Sequence, residues 1–206
     1  KDWTRKHSKK SEKKPRVNYL KRNTQNFPRI VIDTTTLFSS IYNRKGNEAH
    51  LLELADSGKC EIIIFDYVKE EIESVFKRKE LDIELVNDLL DNYHNITISS
   101  LEDITEKEIS IAFEVIDDPK DRPIFIFAKR IMDSNDSSYF VTGDKGFFKE
   151  KVTEILPKRI IHTIGAIDLI NKNDDRLDNL LKPKGPQKAE NEKYLEVRCM
   201  MEEDDN

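Results

Sequence analysis

Cysteine is scarce in this sequence of 206 residues, which holds only Cys60 and Cys199. Two cysteines are too few for a disulfide framework or a structural zinc site, and a reducing, cytoplasmic setting is expected. Long apolar runs are missing as well. Nothing approaches the roughly 18 consecutive apolar residues of a transmembrane helix, and no apolar stretch follows the basic start as it would in a secretory signal. We therefore expect neither a disulfide-rich nor a membrane-spanning protein, and no collagen-like or repeat pattern is present.

Charge is unevenly distributed along the chain, although its net value is only −5. Residues 1–29 hold eleven lysines and arginines against two acids, so this stretch carries +9 and the rest of the chain −14. A basic arm can gather the phosphates of a nucleic acid without reading its sequence, and a solubilising tail is the simpler alternative. The residues of the arm that we expect to contact such phosphates are Lys9, Lys10, Lys13, Lys14 and Arg16.

The chain divides into three parts by composition. Residues 1–28 lack hydrophobic periodicity and are predicted to form a flexible arm, whereas residues 29–171 alternate apolar and polar segments as a folded domain does. Residues 172–206 are predicted to be a polar linker and tail, in which the apolar run 194–201 either binds a partner or folds back. The sequence starts at Lys1 and not at a methionine, which is compatible with a piece of a longer chain.

Short β-branched or aromatic runs alternate with segments of helical periodicity in the central part. The predicted strands are residues 30–32, 61–65, 96–98, 139–141 and 159–162. Residues 106–116 are ambiguous between helix and strand, with helix favoured. The other intervening segments are helical in pattern except residues 145–158, for which no element is predicted. This alternation predicts an α/β fold with a parallel sheet of about five strands and helices on both faces.

Several acidic residues lie at or near the carboxyl ends of the predicted parallel strands. Asp33 follows the first predicted strand, and Asp144 follows the fourth. Asp118 and Asp121 lie in a polar turn before a predicted helix, and Glu71 lies in the helix after the second strand. Because ligands bind beyond the carboxyl ends of parallel strands, we expect carboxylates from four remote segments to converge there.

Carboxylates brought this close repel one another and raise one another's pKa, a conflict that a divalent cation resolves. Mg²⁺ and Mn²⁺ prefer such hard oxygen ligands, and they can activate water for attack on a phosphodiester. Each acid alone also has a structural explanation. Asp33 can cap a helix, Asp118 and Asp121 can form a capping turn, Asp144 can sit in a turn, and Glu71 can be a solvated helix residue.

Four segments together resemble the acid motifs of the PIN-domain family. They are residues 31–34 (Val-Ile-Asp-Thr), residues 68–78 around Glu71, residues 118–128 (Asp-Pro-Lys-Asp-Arg-Pro-Ile-Phe-Ile-Phe-Ala) and residues 140–144 (Phe-Val-Thr-Gly-Asp). The resemblance is greatest to PIN toxins of bacterial toxin–antitoxin pairs. It implies a three-layer α/β/α fold and a Mg²⁺- or Mn²⁺-dependent endoribonuclease that cuts single-stranded or loop RNA.

The same resemblance implies the roles of individual residues. Asp33, Asp121 and Asp144 would be the main metal ligands, and Glu71 would complete the catalytic quartet through water or a second ion. Thr142 corresponds to a hydroxyl that supports the fourth acid. The further supporting residues are Thr34 and Asp118.

Two positions depart from the family pattern. Thr35 stands where asparagine is usual, and Arg122 stands where a third acid is common. Neither removes a member of the quartet, so we expect an intact site. The choice of Glu71 rests on motif register, because Glu70 and Glu73 are close alternatives.

Other functions remain open at this stage. A PIN-like module that docks RNA or protein inside a larger assembly, with little or no nuclease activity, is the principal alternative. A phosphatase of the aspartyl-nucleophile type is disfavoured, because it would need an acid at position 35, where threonine stands. Pairing of PIN domains implies a homodimer, and an inhibitor or assembly protein is expected to bind through the N-terminal arm or residues 194–201.

Overall fold

A computed structural model describes residues 28–181, with side chains described to residue 173. The strands are β1 (Arg29–Ile32), β2 (Glu61–Phe65), β3 (Ile96–Ser99), β4 (Ser138–Val141) and β5 (Ile160–Ile161). The helices are α1 (Thr34–Tyr42), α2 (Asn47–Asp56), α3 (Asp66–Arg78), α4 (Glu84–Asn92), α5 (Glu106–Val115), α6 (Asp121–Ser134), α7 (Glu150–Ile155) and α8 (Thr163–Leu181). A 3₁₀ helix, Lys145–Phe148, precedes α7.

All five strands are parallel, in the spatial order β3-β2-β1-β4-β5, and helices flank the sheet. The predicted α/β class, with a parallel five-stranded sheet between helical layers, is thus confirmed. The central strands form because runs such as residues 62–64, three consecutive isoleucines, favour the extended backbone and are buried by layers on both faces. Aromatic contacts fill the core, including Phe65 stacked on Phe127 with ring centroids 4.6 Å apart.

Strand register brings the polar ends of β1 and β4 side by side. Ile32 pairs with Val141 on one side and with Ile64 on the other. The next residues, Asp33 and Thr142, therefore leave the same edge of the sheet as neighbours. The carboxyl edge of β1 lies in the middle of the sheet, with β2 and β4 beside it.

Several boundaries differ from the predicted ones. The strand predicted over 159–162 is reduced to Ile160–Ile161, since α8 begins at Thr163. No element was expected between Asp144 and residue 158, where the structure has the 3₁₀ helix and α7. The ambiguous segment 106–116 is helical, because Thr105 and Glu108 form a reciprocal capping box at the start of α5.

The helix α8 continues to Leu181, beyond the predicted domain boundary at residue 171. Within residues 28–181, no helix is long and apolar enough to cross a membrane.

Candidate active site

Asp33 is a buried carboxylate at the end of the central strand, only 4% exposed. Its Oδ1 accepts the backbone N–H of Thr36 at 2.7 Å, so Asp33 caps α1, and its Oδ2 accepts the Thr142 hydroxyl at 2.5 Å. Burial raises the pKa of Asp33, the bonds from Thr142 and Thr36 hold it down in part, and the charge of Asp144 raises it further. The capping role that Asp33 was expected to have as a structural residue is therefore real, and it leaves the carboxyl next to another acid.

Thr142 joins two of the predicted acids. Its side chain is fully buried, and its hydroxyl donates to Asp33 while accepting the backbone N–H of Asp144 at 2.9 Å. Asp144 in turn caps the 3₁₀ helix, because its Oδ1 accepts the N–H of Gly146 at 2.7 Å. The predicted support of the fourth acid by Thr142 thus has a definite geometry, although the roles of these residues stay predictions.

Glu71 is the member of its glutamate cluster that faces this edge. The hydroxyl of Thr34, the residue after Asp33, donates a hydrogen bond to Glu71 Oε2. Glu73 instead forms an ion pair with Lys69 at 2.6 Å along the helix, and Glu70 is exposed. Of these three glutamates, Glu71 is thus the one that contacts the residue after Asp33, and its role stays a prediction.

Asp121 is the first residue of α6 and lies among the other acids. Its pKa is raised to about 6, first by burial and then by the charges of Asp144, Asp118, Glu71 and Asp33. A Cβ placed on Gly146 would lie 3.1 Å from Oδ1 of Asp144 and 4.0 Å from Oδ2 of Asp121, so those two oxygens are about 7 Å apart at most. All four predicted acids are thus brought to one place by four separate segments.

Asp118 belongs to the turn that leads into α6. Its Oδ1 accepts the N–H of Lys120 at 2.9 Å, and its carbonyl accepts the N–H of Asp121 at 3.1 Å. This is the capping turn expected on structural grounds. Its charge also raises the pKa of Asp121, so Asp118 contributes to the electrostatics of the site.

The donor set fits a hard divalent cation. Among the side chains that the structure describes, residues 28–173, no three of His, Cys, Asp or Glu are grouped closely enough to ligate one ion directly. Mg²⁺ keeps several of its waters and is commonly held by one or two carboxylates together with substrate phosphate, so direct ligation by three side chains is not required. Burial raises the pKa of Asp121 most, and the charges of the neighbouring acids raise it further; such a cation would relieve that repulsion.

Three features of the site were not predicted. Tyr67 has its pKa raised by burial and then by the charges of Glu71, Asp121 and Asp118, so the acids act on its phenol. Its position one helical turn before Glu71 was the signal that could have indicated this. Arg122 donates to the carbonyls of Ile116 and Asp117 at 3.0 and 3.3 Å, so it orders the loop before α6.

The third feature is an ion pair between Lys149 and Asp117, 2.5 Å long, which links the segment after Asp144 to the loop before Asp121. The two residues are 32 positions apart in the sequence, with no shared periodicity. No sequence pattern indicates this contact.

The predicted RNA contacts of the arm, Lys9, Lys10, Lys13, Lys14 and Arg16, lie outside the residues that the structure describes. The predicted partner segment 194–201 lies outside them as well.

Comparison with known proteins gives a family match over the site. Residues 29–146, more than half of the chain, match a family model described as PIN domain. Among solved structures, the chain is similar to a chain in the crystal structure of VapBC2 from Rickettsia felis bound to a DNA fragment from their promoter. The TM-score is 0.47 and the sequence identity 16%, with 65% of this chain and 98% of that chain covered. No curated protein sequence matches the chain.

Proposed function

This chain belongs to the PIN domain family, and from that premise we propose that it is a Mg²⁺- or Mn²⁺-dependent endoribonuclease of the toxin type. Its substrate would be single-stranded or loop RNA, and its catalytic residues would be Asp33, Glu71, Asp121 and Asp144. The observation that carries the proposal is the convergence of these acids from four segments; burial and then the charges of the neighbouring acids raise the pKa of Asp121 to about 6. Perturbed carboxyls of this kind concentrate at functional sites.

Some residues would hold the cation, and others orient the residues that hold it. Asp33, Asp121 and Asp144 would hold the cation directly or through its bound waters, and Glu71 would bind through water or a second ion. The bound ion would supply a nucleophile at neutral pH and stabilise charge on the phosphoryl oxygens. Thr142 fixes the Asp33 carboxylate and the backbone of Asp144, and Thr34 fixes Glu71, so the acids are oriented by neighbouring hydroxyl groups.

A docking module is the second candidate function. It is favoured by the lack of three acids close enough, among the described residues, to ligate one ion together. Titration with Mn²⁺ separates the two functions. A cation that binds only the folded state raises the free energy of unfolding, by about 2.7 kcal/mol at a concentration of a hundred times its dissociation constant. A docking module need not gain any stability from the cation.

The direct test is cleavage of a labelled, structured RNA in Mn²⁺, Mg²⁺ or EDTA. Asp144→Asn is expected to abolish metal-dependent cleavage. Asp133→Asn is the matched control, because Asp133 is an exposed acid at the far end of α6, paired with Lys129 at 2.5 Å. Cleavage that survives Asp144→Asn unchanged would refute the proposed site. Salt-sensitive RNA binding without any cleavage would favour the docking module.

We also propose partners and a setting for this activity. The basic residues 1–29 would raise the local RNA concentration, an inhibitor or assembly protein would bind this arm or residues 194–201, and two copies would form a homodimer in the cytoplasm. Removal of residues 1–27 should then weaken RNA binding and reduce its dependence on salt, since the arm supplies most of the phosphate contacts. A mass measurement in solution tests the dimer.

A further inference from the structure

An aromatic pair lies beside the acidic edge and is not used by the proposed reaction. His162 directly follows β5, whose last residue, Ile161, pairs with Val141 and accepts the backbone N–H of Thr142 at 3.3 Å. His162 therefore leaves the sheet at the same edge as Thr142, one strand away. Thr142 is the residue that holds Asp33 and Asp144.

The His162 ring stacks on Phe148, with centroids 4.2 Å apart and an interplanar angle of 26°. Phe148 is half-buried and packs against the core, whereas His162 is exposed. The imidazole thus packs on one side against the half-buried ring of Phe148 and is exposed to solvent. Such a supported, open ring can stack on a nucleobase, and stacking on aromatic side chains is a general mode of single-strand binding.

A positively charged residue, Lys149, follows one member of this aromatic pair in the sequence. Lys149 follows Phe148 directly and binds Asp117 at 2.5 Å, and both side chains are well exposed, by 52% and 81%. Asp117 has its pKa lowered first by this bond to Lys149 and then by the charges of Lys149, Lys151 and Arg122. The pKa of Lys149 is raised by its bond to Asp117 and then by the charges of Asp117 and Asp144.

The pair between Lys149 and Asp117 contributes little to stability, because exposed ion pairs are screened and cost side-chain entropy. A phosphate can replace the carboxylate as the partner of Lys149. It would gain the same ammonium contact without desolvating a buried group. Asp117 and an RNA backbone phosphate would then compete for the ammonium group of Lys149.

We propose that Phe148, His162 and Lys149 form a nucleotide subsite for single-stranded RNA next to the acids, in which the His162 ring stacks on a base and Lys149 binds a neighbouring phosphate in place of Asp117. The subsite rests on the proposed ribonuclease function and deepens it. It gives the enzyme a contact with an unpaired nucleotide, since a paired and stacked base cannot cover the imidazole. Discrimination between single-stranded and duplex RNA follows from it.

The test measures binding in EDTA, so that cleavage does not interfere. The probe is a short fluorescein-labelled single-stranded RNA, and binding is followed by anisotropy with the full chain. His162→Ala is expected to bind about fivefold to tenfold more weakly, and His162→Phe should restore binding because the ring is retained. An oligonucleotide of abasic residues keeps the phosphates but lacks bases, so His162→Ala should leave its binding unchanged.

The lysine contact is tested by a pair of charge-matched variants. Asp117→Asn should tighten RNA binding about threefold, because Lys149 is freed, whereas Asp133→Asn removes the same charge from a distant ion pair and should have no effect beyond a small uniform gain. Lys149→Ala should weaken binding to both the normal and the abasic oligonucleotide and lower the salt slope by about 0.7.

The outcomes separate the subsite from the function on which it rests. If the wild-type chain cleaves RNA but His162→Ala binds both oligonucleotides like the wild type, the subsite is wrong and the nuclease stands. If His162→Ala loses affinity and His162→Phe loses it equally, the ring is not a stacking surface and the subsite is also wrong. A wild-type chain that neither cleaves nor binds RNA would refute both proposals. Thermal unfolding of each variant checks that the fold is retained.

Discussion

Thr142 donates its hydroxyl hydrogen to Oδ2 of Asp33 at 2.5 Å, joining two strand ends that are 109 residues apart in the sequence. The hydroxyl oxygen of Thr142 also accepts the backbone N–H of Asp144 at 2.9 Å. One fully buried side chain therefore sets the position of two acids relative to each other. Thr142 is in this sense a positioning residue, because it acts on the proposed reaction through Asp33 and Asp144.

Replacement of Thr142 by valine keeps the shape of the side chain and removes its hydroxyl. The free energy of unfolding should fall by about 1–3 kcal/mol, because buried Asp33 Oδ2 and the partly buried Asp144 N–H both lose a partner. Since the hydroxyl holds the pKa of Asp33 down, the acid limb of the pH profile of cleavage should move to higher pH. Urea unfolding and a pH–rate profile measure the two effects.

Thr142→Ser is the control for this prediction. It restores the hydroxyl and should recover the wild-type pH profile even if the lost methyl group costs some stability. A valine variant with the stability loss but an unshifted profile would show that Thr142 is structural only.

Glu71 and Glu70 are adjacent glutamates with different surroundings, and they should respond differently to the same substitution. Glu71→Gln removes the negative charge from the side chain that accepts the hydrogen bond of the Thr34 hydroxyl. This charge also acts on Asp121, so cleavage should fall at least about tenfold. Glu70→Gln changes an exposed residue and should leave cleavage within about twofold of the wild type. Cleavage rates of the two variants at saturating Mn²⁺ decide the matter. Equal losses would contradict the assignment of Glu71.

Gly146 leaves room for the carboxylate of Asp144, and its replacement by alanine tests that space. The added Cβ would lie 3.1 Å from Oδ1 of Asp144 and would push the carboxylate by a few tenths of an ångström. Because small misplacements of reacting groups are costly, cleavage should fall about tenfold while the unfolding midpoint changes little. Gly143→Ala provides the matched control, since nothing lies within 4 Å of its added Cβ. If both alanine variants cleaved RNA equally well, the position of Asp144 would not limit the reaction.

Asp121 gives the metal-free protein an unusual pH dependence. Its pKa rises from 3.8 to about 6 on folding, so the folded state binds more protons than the unfolded state in this interval. The stability contributed by the protonated form is complete below about pH 4 and is lost as the pH rises through about 6. The effect is on the order of 1 kcal/mol, because the carboxyl is half-exposed and solvent screens it.

The comparison with Asp121→Asn isolates this contribution, because asparagine stays neutral at every pH. In EDTA, the variant should gain stability relative to the wild type between about pH 4 and 6, with no further gain above that range. Urea unfolding at several pH values measures the difference. A constant difference across the series would mean that the pKa of Asp121 is not raised.

Much of the fold could be predicted from the sequence because short runs of β-branched or aromatic residues mark its strands. The strand predicted over residues 61–65 has the bounds observed, since three isoleucines in a row suit only a buried strand. The last strand was predicted too long. Arg159 directs its guanidinium to the carbonyls of Met132, Asn135 and Ser138, and the chain turns into α8 at Thr163. Periodicity cannot show such tertiary contacts.

The site was predictable where it depends on strand ends and unpredictable where it depends on side-chain contacts. Asp33 and Asp144 follow buried runs, so their common edge could be inferred. The preference of Thr34 for Glu71 is a contact across 37 residues, and only the packing of α3 against α1 shows it. The contact between His162 and Phe148 likewise arises from the way β5 and the 3₁₀ helix meet, and the residues between them show no pattern that indicates it.

The order β3-β2-β1-β4-β5 has a consequence for synthesis of the chain on the ribosome. β1, β2 and β3 can pair as soon as residue 99 has emerged, whereas β4 joins the open side of β1 only after about forty further residues. Until then Asp33 lacks its partner Thr142, and Asp121 lacks Asp144. A nascent chain in which only these three strands are paired therefore contains no complete acid cluster, and the proposed cleavage of RNA could begin only after β4 has joined the sheet.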